Sequence, residues 1–140
     1  MPPECAGTSQ SCQAKTIRVK NVDMRAKVLI VDDDPAACAG LAALLSGAGY
    51  APQCATTFHQ GRTALSRDIP DLMIVDVRLG DFNGLQLIID TDARIPAIVI
   101  SGFADPALKA EAHKLGADYV VKPILPSALL ALVQRRLDPR

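Results

Sequence analysis

From residue 26 onward, apolar runs and helical patterns alternate. Lys27–Val31 (KVLIV) is a continuous β-branched run, the character of a strand covered on both faces. Leu72–Asp76 (LMIVD) and residues 96–100 (PAIVI) share that character, while 50–55 and Asp118–Val121 are shorter, weaker strands. A helix is expected from Pro35 through Leu41, Leu44 and Leu45, closed by Gly47 and Gly49. A second covers 57–66, with Thr57 as its cap and an interruption at Gly61. A loop over 78–83 leads to a third helix, from Gly84 through Leu85, Leu87, Ile88 and Ile89. Asp105-Pro106 opens the fourth, Asp as cap and Pro at the first position, and Gly116 ends it. Pro126–Leu137 is the closing helix, where Arg135 and Arg136 complement the dipole.

Five strand–helix pairs in this order predict an α/β fold. The sheet is parallel and doubly wound, with right-handed crossovers and helices on both faces, a (βα)5 chain. Five strands suit the flavodoxin-like order 2-1-3-4-5. In that order ligands bind beyond the carboxyl ends of the strands, at the switch between the first and third. Residues 1–24 lack sustained periodicity and are expected to be a flexible tail before a domain at 25–140, with Ile17, Val19 and Val22 at most a weak extra strand.

Composition narrows the class. A chain of 140 residues, 49% of them hydrophobic, supports one domain with a real core. Aromatics are only 4% and Trp is absent, so Val, Ile, Leu and Ala must build that core. Fifteen basic residues balance fifteen acidic ones, so no overall field favours nucleic acid or an anionic membrane. No apolar run approaches the roughly 20 residues that span a bilayer, and residues 1–16 lack the apolar segment of a signal peptide. A cytoplasmic location is the resulting expectation. The four cysteines, Cys5, Cys12, Cys38 and Cys54, form no C-x-x-C pair and no zinc spacing. They read as small buried hydrophobes or idle thiols.

The polar residues at strand ends carry the chemistry. Strand one ends in Asp32-Asp33-Asp34, strand three in Asp76, strand four in Ser101-Gly102 and strand five in Lys122-Pro123. Each alone is ordinary cap or turn chemistry. Together, on one edge of the predicted sheet, they bring carboxylates, a hydroxyl and an ammonium into one place. Two carboxylates about 4 Å apart repel by roughly 4 kcal/mol at an effective dielectric near 20, a cost a divalent cation removes. Oxygen-only ligands suit a hard ion such as Mg²⁺, which commonly bridges carboxylates to phosphate. One Asp could then act as a nucleophile, with metal, Lys and hydroxyl offsetting charge on a transferring phosphoryl group.

The segments VLIVDDDP, DLMIVDVRLGDFNGL, AIVISG and YVVKP resemble the signature segments of bacterial two-component response-regulator receiver domains of the chemotaxis-regulator-like kind, over about residues 26–138. The resemblance implies that Asp76 is the phosphoacceptor. It makes Asp33 a direct Mg²⁺ ligand, Asp32 a ligand through water, and the Arg78 backbone carbonyl a further one. Ser101 is the switch hydroxyl, Lys122 the phosphate-pairing lysine before a usually cis Pro123, and Tyr119 the switch aromatic whose ring turns inward. The implied partners are a histidine kinase or histidine phosphotransfer protein and a downstream protein on the face of the fourth helix, fifth strand and fifth helix. A homodimer is admitted, direct nucleic-acid or membrane contact is not expected, and the role is signalling rather than enzymatic.

The chain departs from the family in the loop after Asp76, which lacks a proline many relatives carry there and is expected to be more mobile. Ser101 replaces the commoner Thr and keeps the hydroxyl. Arg78 stands at a variable position that tunes dephosphorylation in the family. Asp34 reads as a helix cap rather than a metal ligand, and His59 and His113 as solvated surface residues. Two alternatives stand beside this reading. One is a haloacid-dehalogenase-type phosphatase using Asp32 as nucleophile and Asp34 as acid, against which Pro35 and the short chain count. The other is a degenerate receiver that only binds partners.

Overall fold

The computed structural model describes residues 25–91 and 94–138. The expected tail and its weak strand lie outside them. The elements are β1 Lys27–Val31, α1 Pro35–Gly47, β2 Ala51–Ala55, α2 Phe58–Arg67, β3 Leu72–Asp76, α3 Leu85–Asp90, β4 Ala97–Ser101, α4 Pro106–Lys114, β5 Asp118–Val121 and α5 Pro126–Leu137. The five strands form one parallel sheet in the order β2-β1-β3-β4-β5, as the alternation predicts. Among the described residues no helix is long and apolar enough to cross a membrane.

The unbroken apolar runs are explained by two cores, one on each side of the sheet. Successive strand residues point to opposite faces. Leu29, Val31, Met73, Val75, Ala97 and Val99 face one side and meet Phe58 and Ala64 of α2, Leu85 and Leu87 of α3, and Ala112 of α4. Val28, Ile30, Leu72, Ile74, Ile98 and Ile100 face the other and meet Cys38 and Leu45 of α1 and Leu129 and Val133 of α5. With both faces covered, residues 28–31, 72–75 and 97–100 are apolar throughout.

Local signals hold at most boundaries. Asp34 caps α1, its Oδ1 accepting from the Ala36 N–H at 3.0 Å. Thr57 Oγ1 accepts from Gln60 N–H at 3.0 Å to cap α2. Gly49 and Gly116 take the left-handed conformation after α1 and α4, with φ of 96° and 80°. Asp105 accepts from Ala107 and Leu108 at 2.9 and 3.4 Å, with Pro106 in the first turn of α4. Asp105→Ala is therefore expected to cost about 1 kcal/mol. The measurement is a lower urea midpoint at unchanged m-value, and an unmoved midpoint would show the cap to be idle.

Three expectations need correction. Gly61 does not interrupt α2: a Cβ there would meet Leu87 Cδ1 at 3.1 Å and Val31 at 3.3 Å, so the glycine lets α2 lie close to β1 and α3. Residues 78–83 are not a plain loop. Arg78–Leu79 pairs antiparallel with Phe82–Asn83 around Gly80, whose φ is 62°. Arg136 does more than complement a dipole, since its Nε lies 3.2 Å from Asp118 Oδ2 and its guanidinium donates to the Gly116 carbonyl.

Candidate functional site

Ladder bonds beyond the strand ends bring the predicted polar residues to one edge. Asp32 N–H donates to Ala55 O at 3.1 Å, Val77 N–H to Ile100 O at 2.9 Å and Lys122 N–H to Ser101 O at 2.8 Å. The tips of β1, β3, β4 and β5 are thereby held in register, and the Lys122-Pro123 peptide that follows β5 is cis. Asp32, Asp76 and Ser101 are the buried polar side chains of the described residues. Asp33 beside them is exposed.

Each carboxylate is aimed by a backbone donor. Asp32 Oδ1 accepts from Asp34 N–H at 3.0 Å, and Asp76 Oδ1 from Arg78 N–H at 3.1 Å. The other Asp76 oxygen, Oδ2, faces Lys122 Nζ at 3.3 Å, and the same ammonium is 3.9 Å from Asp32 Oδ2. Asp32, Asp33 and Asp76 each offer an oxygen within 4.8 Å of the others. Asp34 stands apart, its carboxylate spent on the helix cap.

The charges are unevenly settled. Burial pushes the Asp32 carboxyl above its ordinary value and the Asp76 charge adds to this, against the Asp34 N–H and Lys122. Partial burial works to lower Lys122, but the carboxylates of Asp76, Asp32 and Asp33 hold it above its usual value. One ammonium faces three carboxylates, and the excess negative charge with oxygen-only donors fits a hard divalent cation.

Ser101 Oγ accepts from Phe103 N–H at 3.1 Å, and Tyr119 Oη donates to Phe103 O at 2.7 Å. Both residues expected to switch therefore hold the same backbone unit, and the Arg78 guanidinium lies 5.7 Å from the Phe103 ring centroid. Phe103 was missed in the sequence, where an exposed aromatic after Ser-Gly gives little sign of its place. Gly84 was also missed as a site residue: its N–H donates to Val77 O at 2.6 Å, and a Cβ would fall 1.9 Å from the Asp76 carbonyl oxygen. The buried Cys38 thiol is pushed up to about 12 chiefly by burial, which suits an idle thiol, and Cys54 is exposed on β2. His59 and His113 are exposed as expected.

The family model of the response regulator receiver domain matches residues 28–134. The chain belongs to that family. DNA-binding response regulator MtrA of Mycolicibacterium smegmatis is 32% identical over 117 residues, covering 81% of this chain and 51% of that protein. C4-dicarboxylate transport transcriptional regulatory protein DctD of Pseudomonas aeruginosa is 34% identical over 122 residues, 84% of this chain and 26% of that protein. The chain thus spans about half and about a quarter of these curated relatives. Among solved structures, a CheY-like receiver domain protein from Methanospirillum hungatei JF-1 superposes with a TM-score of 0.76 at 27% identity, covering 82% of this chain and 95% of that one. A response regulator from Chloroflexus aurantiacus J-10-fl gives 0.73 at 28% identity, covering 81% and 98%. A receiver domain with Asp34 committed to a cap leaves the phosphatase alternative without its second acid.

Proposed function

We propose that this receiver accepts a phosphoryl group on Asp76 from a phosphohistidine donor, a histidine kinase or histidine phosphotransfer protein. The observation that carries it is the convergence of Asp32, Asp33 and Asp76 with Lys122, whose ammonium is 3.3 Å from Asp76 Oδ2. An Asp76 oxygen attacks phosphorus, the phosphorus–nitrogen bond of the donor breaks, and an acyl phosphate forms. Lys122 is placed to pair with the oxygens of the arriving group. Asp32, Asp33, Asp76 and the Arg78 carbonyl would hold Mg²⁺, which when bound offsets charge on the transferring group.

Ser101 and Tyr119 then supply the switch. The Ser101 hydroxyl leaves Phe103 N–H for the new phosphoryl oxygens, which frees Tyr119 from the same backbone unit. A downstream protein reads the altered face of α4, β5 and α5, and a second copy of the chain is an alternative reader there. The role is that of a signalling domain over residues 25–140, in the cytoplasm. The balanced charge supports no direct nucleic-acid contact by this domain; the relative whose name includes DNA binding is matched over only 51% of its length.

The test is intact mass after incubation with acetyl phosphate, with and without Mg²⁺, on wild type, Asp76→Asn and Asp32→Asn. A Mg²⁺-dependent phosphate adduct is expected in wild type and its complete loss in Asp76→Asn. An adduct that survives in Asp76→Asn but vanishes in Asp32→Asn would move the nucleophile to β1. No adduct from acetyl phosphate or from a phosphorylated histidine kinase would leave a binding module instead.

A further inference from the structure

The segment after Asp76 is a minimal hairpin. Its two strands have two residues each, Arg78 pairing with Asn83 and Leu79 with Phe82. A hairpin that short does not hold itself in water. No proline stiffens its turn; Gly80 sits there with φ 62°. Two side chains tie it down. Leu79 is buried in the core among β-sheet and α3 residues. Across the hairpin, the Phe82 ring stacks on Phe58, with centroids 4.6 Å apart and planes at 12°. Phe58 is the first residue of α2 and is buried. The His59 ring meets Phe82 edge-on at 5.4 Å.

This clip holds backbone groups that touch the acidic site. Arg78 N–H is on Asp76 Oδ1 at 3.1 Å, and Gly80 N–H faces Asp33 Oδ2 at 3.4 Å. Asp32 and Asp76 sit at strand tips within the sheet ladder, whereas the Arg78 carbonyl belongs to the hairpin itself. Slackening the hairpin would move the carbonyl and leave the strand carboxylates in place.

The geometry points to Phe82 as a positioning residue, which by stacking on Phe58 sets the Arg78 carbonyl for a divalent cation. The inference rests on the magnesium reading above. Phe82 touches neither metal nor phosphoryl group and acts through the backbone. Its loss should weaken cation binding and leave phosphoryl acceptance intact once the cation is saturating.

The test titrates MgCl₂ into the full chain by calorimetry, without phosphodonor, and then follows Mg²⁺-dependent adduct formation from acetyl phosphate. An aromatic stack of this kind predicts a three- to tenfold rise, as an order of magnitude, in the Mg²⁺ dissociation constant of Phe82→Ala. At saturating Mg²⁺ the adduct rate should stay within about twofold of wild type, because a residue that acts only through cation affinity loses its effect once the site is full. Phe82→Tyr keeps the ring and should restore the affinity. Phe82→Leu keeps an apolar side chain against Phe58 without a ring and should shift in the same direction if the alanine variant is too unstable to titrate. Wild-type affinity in Phe82→Leu and Phe82→Ala, or a Phe82→Tyr as weak as alanine, overturns the inference alone. A wild type that binds no Mg²⁺ overturns the magnesium reading and this inference together.

Discussion

Gly84→Ala is expected to destabilise the domain by about 3 kcal/mol or more, the range of a severe steric insertion into a packed site. For a domain of this size that lowers the melting temperature by roughly 10 °C. The cause is contact, not conformation. Gly84 has φ −59° and ψ −26°, helical values any residue adopts. An added Cβ, however, would lie 1.9 Å from Asp76 O, 2.7 Å from Val75 Cγ1 and 2.9 Å from Asp76 C. Two of those atoms are backbone at the end of a central strand and have little room to yield. The start of α3 must move off β3, breaking the 2.6 Å bond from Gly84 N–H to Val77 O. Calorimetric melting measures the effect. Because the obstructing atoms belong to Asp76 itself, the surviving fold should also accept phosphate more slowly. A melting temperature within a degree or two of wild type would mean that α3 can shift freely, and the close packing would lose its significance.

Asp32→Asn is expected to act in opposite directions on stability and on metal binding. Asp32 is 3% exposed, and burial first and Asp76 second raise its pKa above 3.8. Its charged form is therefore disfavoured in the fold relative to the unfolded chain. As pH falls from neutrality through the raised pKa toward 3.8, the folded state takes up a proton that the unfolded chain does not, and stability without metal rises. Asn removes this dependence while its side-chain oxygen still accepts from the Asp34 N–H. A gain of about 1 kcal/mol at neutral pH in EDTA is expected, given that Lys122 already offsets part of the repulsion. Loss of a carboxylate from the set should meanwhile weaken Mg²⁺ by about tenfold or more, so the stabilisation that Mg²⁺ confers on wild type should largely vanish. Melting curves with EDTA and with MgCl₂ separate the two effects. A lower melting temperature in EDTA would show that Asp32 is held by its partners rather than strained against Asp76.

The two substitutions together describe how this receiver domain is built around its acidic edge. The strand tips are rigid because ladder bonds continue past them, as from Val77 N–H to Ile100 O. Rigidity allows like charges to be kept close, and the cost is left standing for a divalent cation to relieve. The hairpin after Asp76 is the less constrained part, and the stack of Phe82 on Phe58 is what holds it.

Much of the architecture was legible in the sequence because its causes are local or periodic. Unbroken apolar runs such as KVLIV and LMIVD mark strands covered on both sides, and Asp34, Thr57 and Asp105 mark helix starts by bonds that span two or three residues. Strand ends carrying Asp32, Asp76, Ser101 and Lys122 were likewise legible, since a parallel sheet places all carboxyl ends on one edge. What only the tertiary structure decided is which residues are constrained by neighbours distant in the chain. Gly61 reads as a helix breaker and proves to be clearance for Leu87 and Val31. Gly84 reads as the start of a helix and proves to be clearance for the Asp76 carbonyl. Phe58 and Phe82 are 24 positions apart and unremarkable singly, yet they stack. Local pattern determines the strands and helices because backbone bonding and facing are short-range. Close contact between elements depends on their final separation, which no single segment encodes.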